Sequence, residues 1–552
     1  MGISEIFTKK NIEVLNLLSK ESLHIRDIAT QLDISPAKVH ATIQLFKKNK
    51  LVKENKEKNR IIISLNKGSS LLQNIQNILN VDNNDVSFEP KINIFDTINP
   101  LDFRYYGRNE KIFHKLQPYL SENAMIKYMA KVEAALTKTL AKYKICNEKI
   151  AGEVEKACKK ITSEEVYVEE DKLKHNVRAL VNCIRNKVSE EAKPFVHFTA
   201  TSHDIISTAD ALRYKNFTNG VLIPELINFE KTLIDLALRE RNTLQIGRTH
   251  GQHAVPITFG FAIAQFVSRF GSSILKIKKT SNNLRGKIAG AVGSYNASSL
   301  FFNNPEEFEN QVLSELNLKP SPISTQIPEA EYIVDYINAV IESFGVLANL
   351  ADDMRNLQRS EIAEVGEIFT TKQVGSSTMP QKRNPINFEN VKSLWKEFMP
   401  RIVTVYSDQI SEHQRDLTNS ASSRFIPEIL AAFYISVVRL NKTMKSLQVD
   451  KDNLRRNFDM NKGLIVAEPL YILLAANNHP DAHETIKQLT LKAQSIKKPL
   501  QEIIKKEKSL QPYLKKFNKR QLKIIDNPEN YTGIAEKKTE SICGYWKKEL
   551  KL

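Results

Sequence analysis

The sequence specifies a mainly α protein, a bundle of long helices preceded by a small domain of three helices and a β-hairpin. Three observations predict this. First, "ENAMIKYMAKVEAALTKTLAKY", "PITFGFAIAQFVSRFGSSILKIKKTSNNL" and "EAEYIVDYINAVIESFGVLANLADDMRNLQ" keep apolar residues at helical spacing with few breakers, and helices of that length pack as bundles. Second, only 18 glycines occur in 552 residues. Third, the pattern before residue 80 is different, with short helical periods that give way to two β-type runs.

The small domain covers residues 1–79. "NIEVLNLLSK" has helical periodicity, and "LHIRDIATQLD" places Ile25, Ile28, Ala29 and Leu32 on one side. After a short turn, Ser35 is a good N-cap and Pro36 suits the first helical position. The third helix then buries Val39, Ile43 and Phe46 and leaves Lys38, Gln44, Lys47 and Lys48 free. "LVKENKEKNRIIISL" follows, two short β-type runs around a polar turn. This order resembles a winged helix-turn-helix domain. The resemblance implies nucleic-acid binding, with Lys38, Gln44, Lys47 and Lys48 on the helix that enters the major groove and the hairpin on the backbone. Residues 1–70 hold 13 Lys and Arg against 7 Asp and Glu, which suits that role. Winged helices also serve as protein-docking modules, so DNA and a protein partner both stay open.

"NVDNNDVS" (residues 80–87) lacks apolar periodicity and reads as part of a linker, 80–95. Hydrophobic residues at 41% and charged residues at 26% are ordinary for a globular protein. No run of about 18 apolar residues suggests a membrane span. The N-terminus lacks a signal-peptide apolar region, and Ile6 stands where myristoylation needs Ser or Thr. Cys146, Cys158, Cys183 and Cys543 form no C-x-x-C pair, so they read as buried thiols of a cytoplasmic protein rather than a metal site. The net charge of +17 fits nucleic acid, anionic substrates or a lysine-rich surface.

Four polar patches interrupt the helical body. "FTATSHDIISTADA" sets Thr201, Ser202 and Asp204 just before a helical run, where capping or ligand binding would each explain them. "GRTHGQHAVPITFG" clusters Thr249, His250, Gln252 and His253 among breakers, as an acid/base histidine or a turn histidine would be. "GSSTMPQKRNP" is a loop in which adjacent serines sit near Lys382 and Arg383; a serine acts as a base only where cations or dipoles stabilise its alkoxide. "HQRDLTNSASSRF" carries Arg415, Ser420 and Arg424, either surface charge or a phosphate clamp.

"GSSTMPQKRNP", with the other three patches in order, resembles the fumarase/aspartase superfamily over residues 96–552. "NPLDFRYYG", "KHNVRALV", "TSHDIISTA", "MRNLQRSEIAEV" and "KRNP" are similar to its adenylosuccinate lyase branch, though Asn176 and Ser207 stand where that branch usually has Asp. The resemblance implies a fumarase/aspartase-like long-helix bundle preceded by the winged-helix domain. Its parts would be an N-terminal helical domain at 96–205, a central bundle at 206–445 and a C-terminal helical domain at 446–552. The implied reaction is elimination of fumarate from adenylosuccinate, giving AMP, and from the succinylaminoimidazole-carboxamide ribotide. In it Ser376 is the base on a mobile loop, and His250, oriented by Glu389, protonates the leaving nitrogen. Lys382, Asn384, Thr201 and Ser202 pair with the carboxylates, and Thr249 binds substrate beside His250. Arg104, Tyr105, Arg415, Ser420 and Arg424 grip the phosphate, His175 lies near phosphate and leaving group, and Gln326 is a further contact. No metal or organic cofactor is implied, and the family's homotetramers build each active site from three subunits. The alternatives are argininosuccinate lyase, carboxymuconate cycloisomerase and a DNA-binding regulator on a lyase scaffold. Phosphate-clamp arginines point away from the first two, whose substrates are not nucleotides.

Overall fold

The computed structural model describes residues 8–57, 60–66, 68–69, 71–72, 94–368 and 378–552. The chain divides into two compact units, Met1–Asn93 and Ile94–Leu552. Most of the expected linker, 80–93, lies outside the described residues. Its last two positions, Ile94 and Phe95, begin a short 3-10 turn that opens the second unit.

The first unit contains α1 (Lys9–Lys20), β1 (Leu23–His24), α2 (Ile25–Gln31), α3 (Pro36–Lys48), β2 (Val52–Glu57) and β3 (Arg60–Leu65). The α3 start is set as its sequence suggests: the Ser35 hydroxyl accepts from the Lys38 amide at 3.3 Å, with Pro36 in the first turn. The strands form one antiparallel sheet in the order β1-β3-β2. Two-residue β1 is too short for an alternation pattern to reveal. Val39, Ile43 and Phe46 of α3 are fully buried against Val14, Ile28 and Ile63. Lys38, Gln44, Lys47 and Lys48 are exposed. Lys47, however, is not free. Its Nζ lies 2.6 Å from Glu54 on β2, tying α3 to the hairpin.

After that 3-10 turn the second unit continues with a π-helical turn, Leu101–Tyr106. Five helices follow: α4 (Glu110–Leu120), α5 (Glu122–Lys142), α6 (Glu148–Lys159), α7 (Ser163–Leu173) and α8 (Asn176–Arg185). Next come α9 (Ser202–Phe217), α10 (Ile223–Arg239), the hairpin β4 (Leu244–Thr249) and β5 (Gln252–Thr258), and α11 (Phe259–Asn282). Then follow α12 (Pro305–Glu315), α13 (Glu331–Leu357), α14 (Ile386–Phe398), α15 (Ile402–Ser407), α16 (Ile426–Lys445) and α17 (Lys451–Ile465). Shorter helices lead to the final one, Ala535–Glu549. The bundle arises where α10, α11, α13 and α16 pack on one another, with the final helix against α10 and α11. Helix α13 is apolar enough to resemble a membrane span, yet most of it is buried here.

One hydrophobic core runs from Leu101 to Leu447 and also takes in Cys543 and Trp546. A separate core lies between Val466 and Ile525. The boundary expected at 205/206 therefore falls inside α9, in a stretch that shares one core on both sides. The last helix leaves the 446–552 segment to rejoin the bundle. Cys158, Cys183 and Cys543 are buried and Cys146 half-buried, and all four are free thiols.

Candidate active site

The "GRTHGQ" patch folds as the tip of the β4–β5 hairpin. Its two-residue turn is His250-Gly251, with φ 53° and 74°. Paired positive φ values mark the turn whose twist suits an antiparallel hairpin, and glycine takes the second position without strain. His250 is thereby exposed at the tip beside Thr249. The hairpin is braced by Glu364, which is fully buried. Its carboxylate accepts from Arg248 Nη2 at 2.6 Å, Gln245 Nε2 at 2.8 Å and Asn457 Nδ2 at 2.9 Å. His253 Nδ1 lies 3.1 Å from Asn461 Nδ2. Burial, then the nearby Arg248 cation, holds the His253 imidazole below its ordinary range.

Ser376 lies outside the described residues, which stop at 368 and resume at 378. The two ends of this loop are joined. Glu367 accepts from the Asn387 amide at 2.9 Å, Asn387 Nδ2 at 2.6 Å and the Phe388 amide at 3.2 Å. The Glu367 amide in turn donates to Gln358 Oε1 at 3.1 Å. Lys382 is exposed, Asn384 half-buried, and Glu389 exposed in the first turn of α14. Alongside, Asn390 Nδ2 donates to the Tyr105 hydroxyl at 2.9 Å. Arg439 Nη1 donates to Asn387 Oδ1 at 2.8 Å, and its guanidinium feels Tyr105, Glu367 and Arg104. Arg104 and Tyr105 ride on the π turn, a geometry that recurs at functional sites.

Glu364 and Glu367 flank the two-residue strand Val365–Gly366, which pairs with Gln448–Val449. The His250 hairpin and the signature loop thus hang from one short segment. Neither acid was legible as an anchor, because an isolated Glu in a polar stretch looks like surface.

The third grouping surrounds the start of α9. Asp204 is an anchor here. It is ion-paired with Lys287, both side chains fully buried, and accepts from the Thr201 amide at 2.8 Å and the Gly290 amide at 3.3 Å. Thr201 and Ser202 stay half-buried at the helix start. Gly293, φ 76°, lets the 286–297 loop lie against 321–330; a Cβ there would fall 1.9 Å from the Ser324 carbonyl oxygen. The Gln326 amide donates to the Gln414 carbonyl at 3.3 Å, bringing that segment beside Arg415. Arg415, His203, Ser207 and Asp408 line a cavity of about 140 Å³. Within it Arg415 Nε, Arg285 Nε and Asn419 Oδ1 are buried without a hydrogen-bond partner among the described residues. Burial first, then the Arg415 and Lys287 cations, push His203 down to about 4. Ser420 and Arg424 are exposed nearby in sequence.

Removing Asp204 should be costly, since it strands a buried ammonium. Asp204→Ala is expected to lower unfolding free energy by about 3–5 kcal/mol, read by urea titration. A loss below about 1 kcal/mol would show that Lys287 finds another partner.

A histidine missed in the sequence also belongs to this region. His197, four residues before Thr201, has φ 65° and Nδ1 2.7 Å from Glu133 Oε1, with Glu133 fully buried. A histidine next to aromatic residues gave no signal of a partner 64 residues away. His175 caps α8, its Nδ1 accepting from the Arg178 amide at 3.1 Å. Among the described residues, no hydrogen bond or ion pair joins His250, His175 or Glu389 to another candidate side chain. The single chain gathers Gln326 and Arg415 near the start of α9, and Arg104 and Tyr105 near the loop stem.

The chain matches the Lyase family over residues 103–397 and the Adenylosuccinate lyase C-terminal family over 411–532. It is 34% identical over 460 residues to adenylosuccinate lyase of Archaeoglobus fulgidus, covering 82% of this chain and 100% of that protein. The chain belongs to the adenylosuccinate lyase family. The Pyrococcus abyssi member is also 34% identical, over 81% of this chain and 98% of its own. Solved structures share the fold. A 3-carboxy-cis,cis-muconate lactonizing enzyme from Pseudomonas putida superposes with TM-score 0.69 at 21% identity, covering 79% of this chain and 97% of that one. A fumarate lyase from Mesorhizobium sp. BNC1 gives 0.68 at 22%, covering 78% and 97%. The Lyase match takes in every candidate from Arg104 to Glu389, and the Adenylosuccinate lyase C-terminal match takes in Arg415, Ser420 and Arg424. Residues 1–79 lie outside both.

Proposed function

We infer that the protein is an adenylosuccinate lyase. It eliminates fumarate from adenylosuccinate, leaving AMP, and from the succinylaminoimidazole-carboxamide ribotide, leaving the aminoimidazole-carboxamide ribotide. The identity of 34% across the whole of an adenylosuccinate lyase carries this reading. The C-terminal match favours it over argininosuccinate lyase, carboxymuconate cycloisomerase and a non-catalytic regulator. In the reaction Ser376 takes the proton from the succinyl β-carbon. The C–H electron pair is held first as an aci-carboxylate, then forms the new C=C bond as the C–N bond breaks, and His250 gives a proton to the departing nitrogen. Lys382, Asn384, Thr201 and Ser202 stabilise the aci-carboxylate as charge builds on it. Proton transfers and ion pairing suffice, so no cofactor is needed. Incubating the protein with adenylosuccinate and following absorbance and fumarate release tests this; no fumarate would overturn it.

The active site is completed in a cytoplasmic homotetramer. An exposed His250 at a hairpin tip, with no hydrogen bond to another candidate side chain among the described residues, supports a site assembled from several subunits. Arg415, whose buried Nε has no hydrogen-bond partner among the described residues, takes the substrate phosphate together with Arg104, Tyr105, Ser420 and Arg424. Arg415→Ala should weaken AMP binding by about 1.5–3 kcal/mol, the worth of a charge-assisted hydrogen bond. Titration calorimetry on both proteins measures it, and equal affinities would remove Arg415 from the clamp.

The first unit is a winged helix that binds DNA through Lys38, Gln44 and Lys48, with Lys47 held back by Glu54. Single basic modules bind duplex non-specifically at about 10⁻⁴–10⁻⁶ M, and several copies on one oligomer gain avidity of about 10²–10⁴. Deleting residues 1–79 should leave turnover nearly unchanged and abolish gel-shift of duplex at low salt. If both forms shift DNA alike, the unit docks protein instead.

A further inference from the structure

Helix α5 carries four lysines, Lys127, Lys131, Lys138 and Lys142, at i, i+4, i+11 and i+15, which puts them along one face. Like charges four apart on a helix repel. The lower pair is neutralised, since Glu315 at the end of α12 pairs with both Lys138, at 2.6 Å, and Lys142. The upper pair, Lys127 and Lys131, has the same spacing and no carboxylate partner among the described residues. Both open onto a cavity of about 510 Å³ between α5, α6 and α12. Its floor is apolar, with Ala134, Ala135 and Leu316, and Lys138 and Lys159 stand on its rim. Lys131 is held in place, its Nζ 4.3 Å from the centre of the buried Tyr128 ring. Burial, then repulsion from Lys127, lowers the Lys131 ammonium below its ordinary range. Lys159 is engaged by Glu155 at 2.6 Å.

We propose that this cavity is a second anion site, separate from the candidate active site, that binds a phosphate-bearing metabolite of nucleotide size. Lys127 and Lys131 bridge its phosphate as Lys138 and Lys142 bridge Glu315. Charge and size set the class. Four ammonium groups line the cavity against the carboxylates of Glu155 and Glu315, an excess of two positive charges that one phosphate dianion balances. The volume lies in the range of small-ligand pockets, and the apolar floor suits the body of a nucleoside.

The probe is ADP, a nucleotide the proposed reaction neither consumes nor releases. Calorimetric titration of the full-length protein should show two ADP per chain. Arg415→Ala should weaken the active-site equivalent by roughly ten- to a hundredfold. Lys127→Glu with Lys131→Glu should weaken the other at least tenfold and leave lyase turnover unchanged. The milder pair Lys127→Gln with Lys131→Gln should weaken it several-fold, which separates lost binding from a misfolded helix. A single ADP per chain that depends on Arg415, or unaltered binding in both lysine pairs, overturns the proposal. Because the readout is stoichiometry, it stands or falls independently of the lyase assay.

Discussion

Replacing His250 with alanine is expected to slow single-turnover elimination by about 10²–10⁴-fold, the usual contribution of a general acid or base. Adenylosuccinate affinity should stay within a few-fold of the parent. The loss arises because C–N cleavage would otherwise expel an unprotonated nitrogen, and binding needs no such proton. The structure gives a reason to expect a clean variant. His250 is exposed at a two-residue turn, and no hydrogen bond among the described residues depends on its ring. The hairpin below it is held through Arg248 and Gln245 on Glu364, so truncating the ring leaves the brace intact. Ser376→Ala should show a comparable loss, since it removes the base from the other end of the same elimination. Rapid-quench measurement of fumarate with enzyme in excess separates chemistry from product release. A His250→Ala enzyme within a few-fold of the parent would end its assignment as the acid.

The readable parts of this protein were those where local sequence chemistry decides the outcome. Ser35-Pro36 starts α3, and the long apolar periods of α11 and α13 make the bundle. The four polar patches stand out because they interrupt the apolar periodicity of the bundle helices. Pairings made across long sequence distance were not readable. Lys287 meets Asp204 across 83 residues, Arg248 meets Glu364 across 116, and Glu133 meets His197 across 64. Each partner alone resembles surface charge, since nothing local distinguishes a buried ion pair from a solvated one. Lys47 failed in the same way on a smaller scale, because Glu54 reaches it only once β2 folds beside α3. The division implied at 205/206 falls within α9, which shares one core on both sides.

Glu230 on α10 should make the stability of the protein fall as pH rises from about 5 to 9. Its side chain is fully buried in the bundle, and neither carboxyl oxygen has a hydrogen-bond partner among the described residues. Desolvation penalises the charged form and pushes this carboxyl up to about 9. The group therefore keeps its proton in the folded protein at neutral pH, while the unfolded chain releases it near 4.5. With the folded value raised, the native state binds more protons than the unfolded state throughout that window. Unfolding is favoured as protons are withdrawn, by up to about 1.4 kcal/mol per pH unit from this one group. Below 4.5 both states hold the proton and the slope vanishes. Glu230→Gln keeps the shape without the titration and should flatten the profile between pH 5 and 9. Glu230→Met also removes the unpartnered polar atoms and should add about 1–3 kcal/mol at pH 8. Asp235 and Lys547 are present in both variants and parent, as is Cys543, whose thiol burial and Glu230 push up to about 11. Between pH 5 and 7, below the range where a cysteine thiol titrates, the difference between the profiles isolates Glu230. Urea titrations at pH 5, 7 and 9 give it directly. Parallel profiles for parent and Glu230→Gln would mean that the carboxyl ionises freely in the fold, and that a partner or water reaches it.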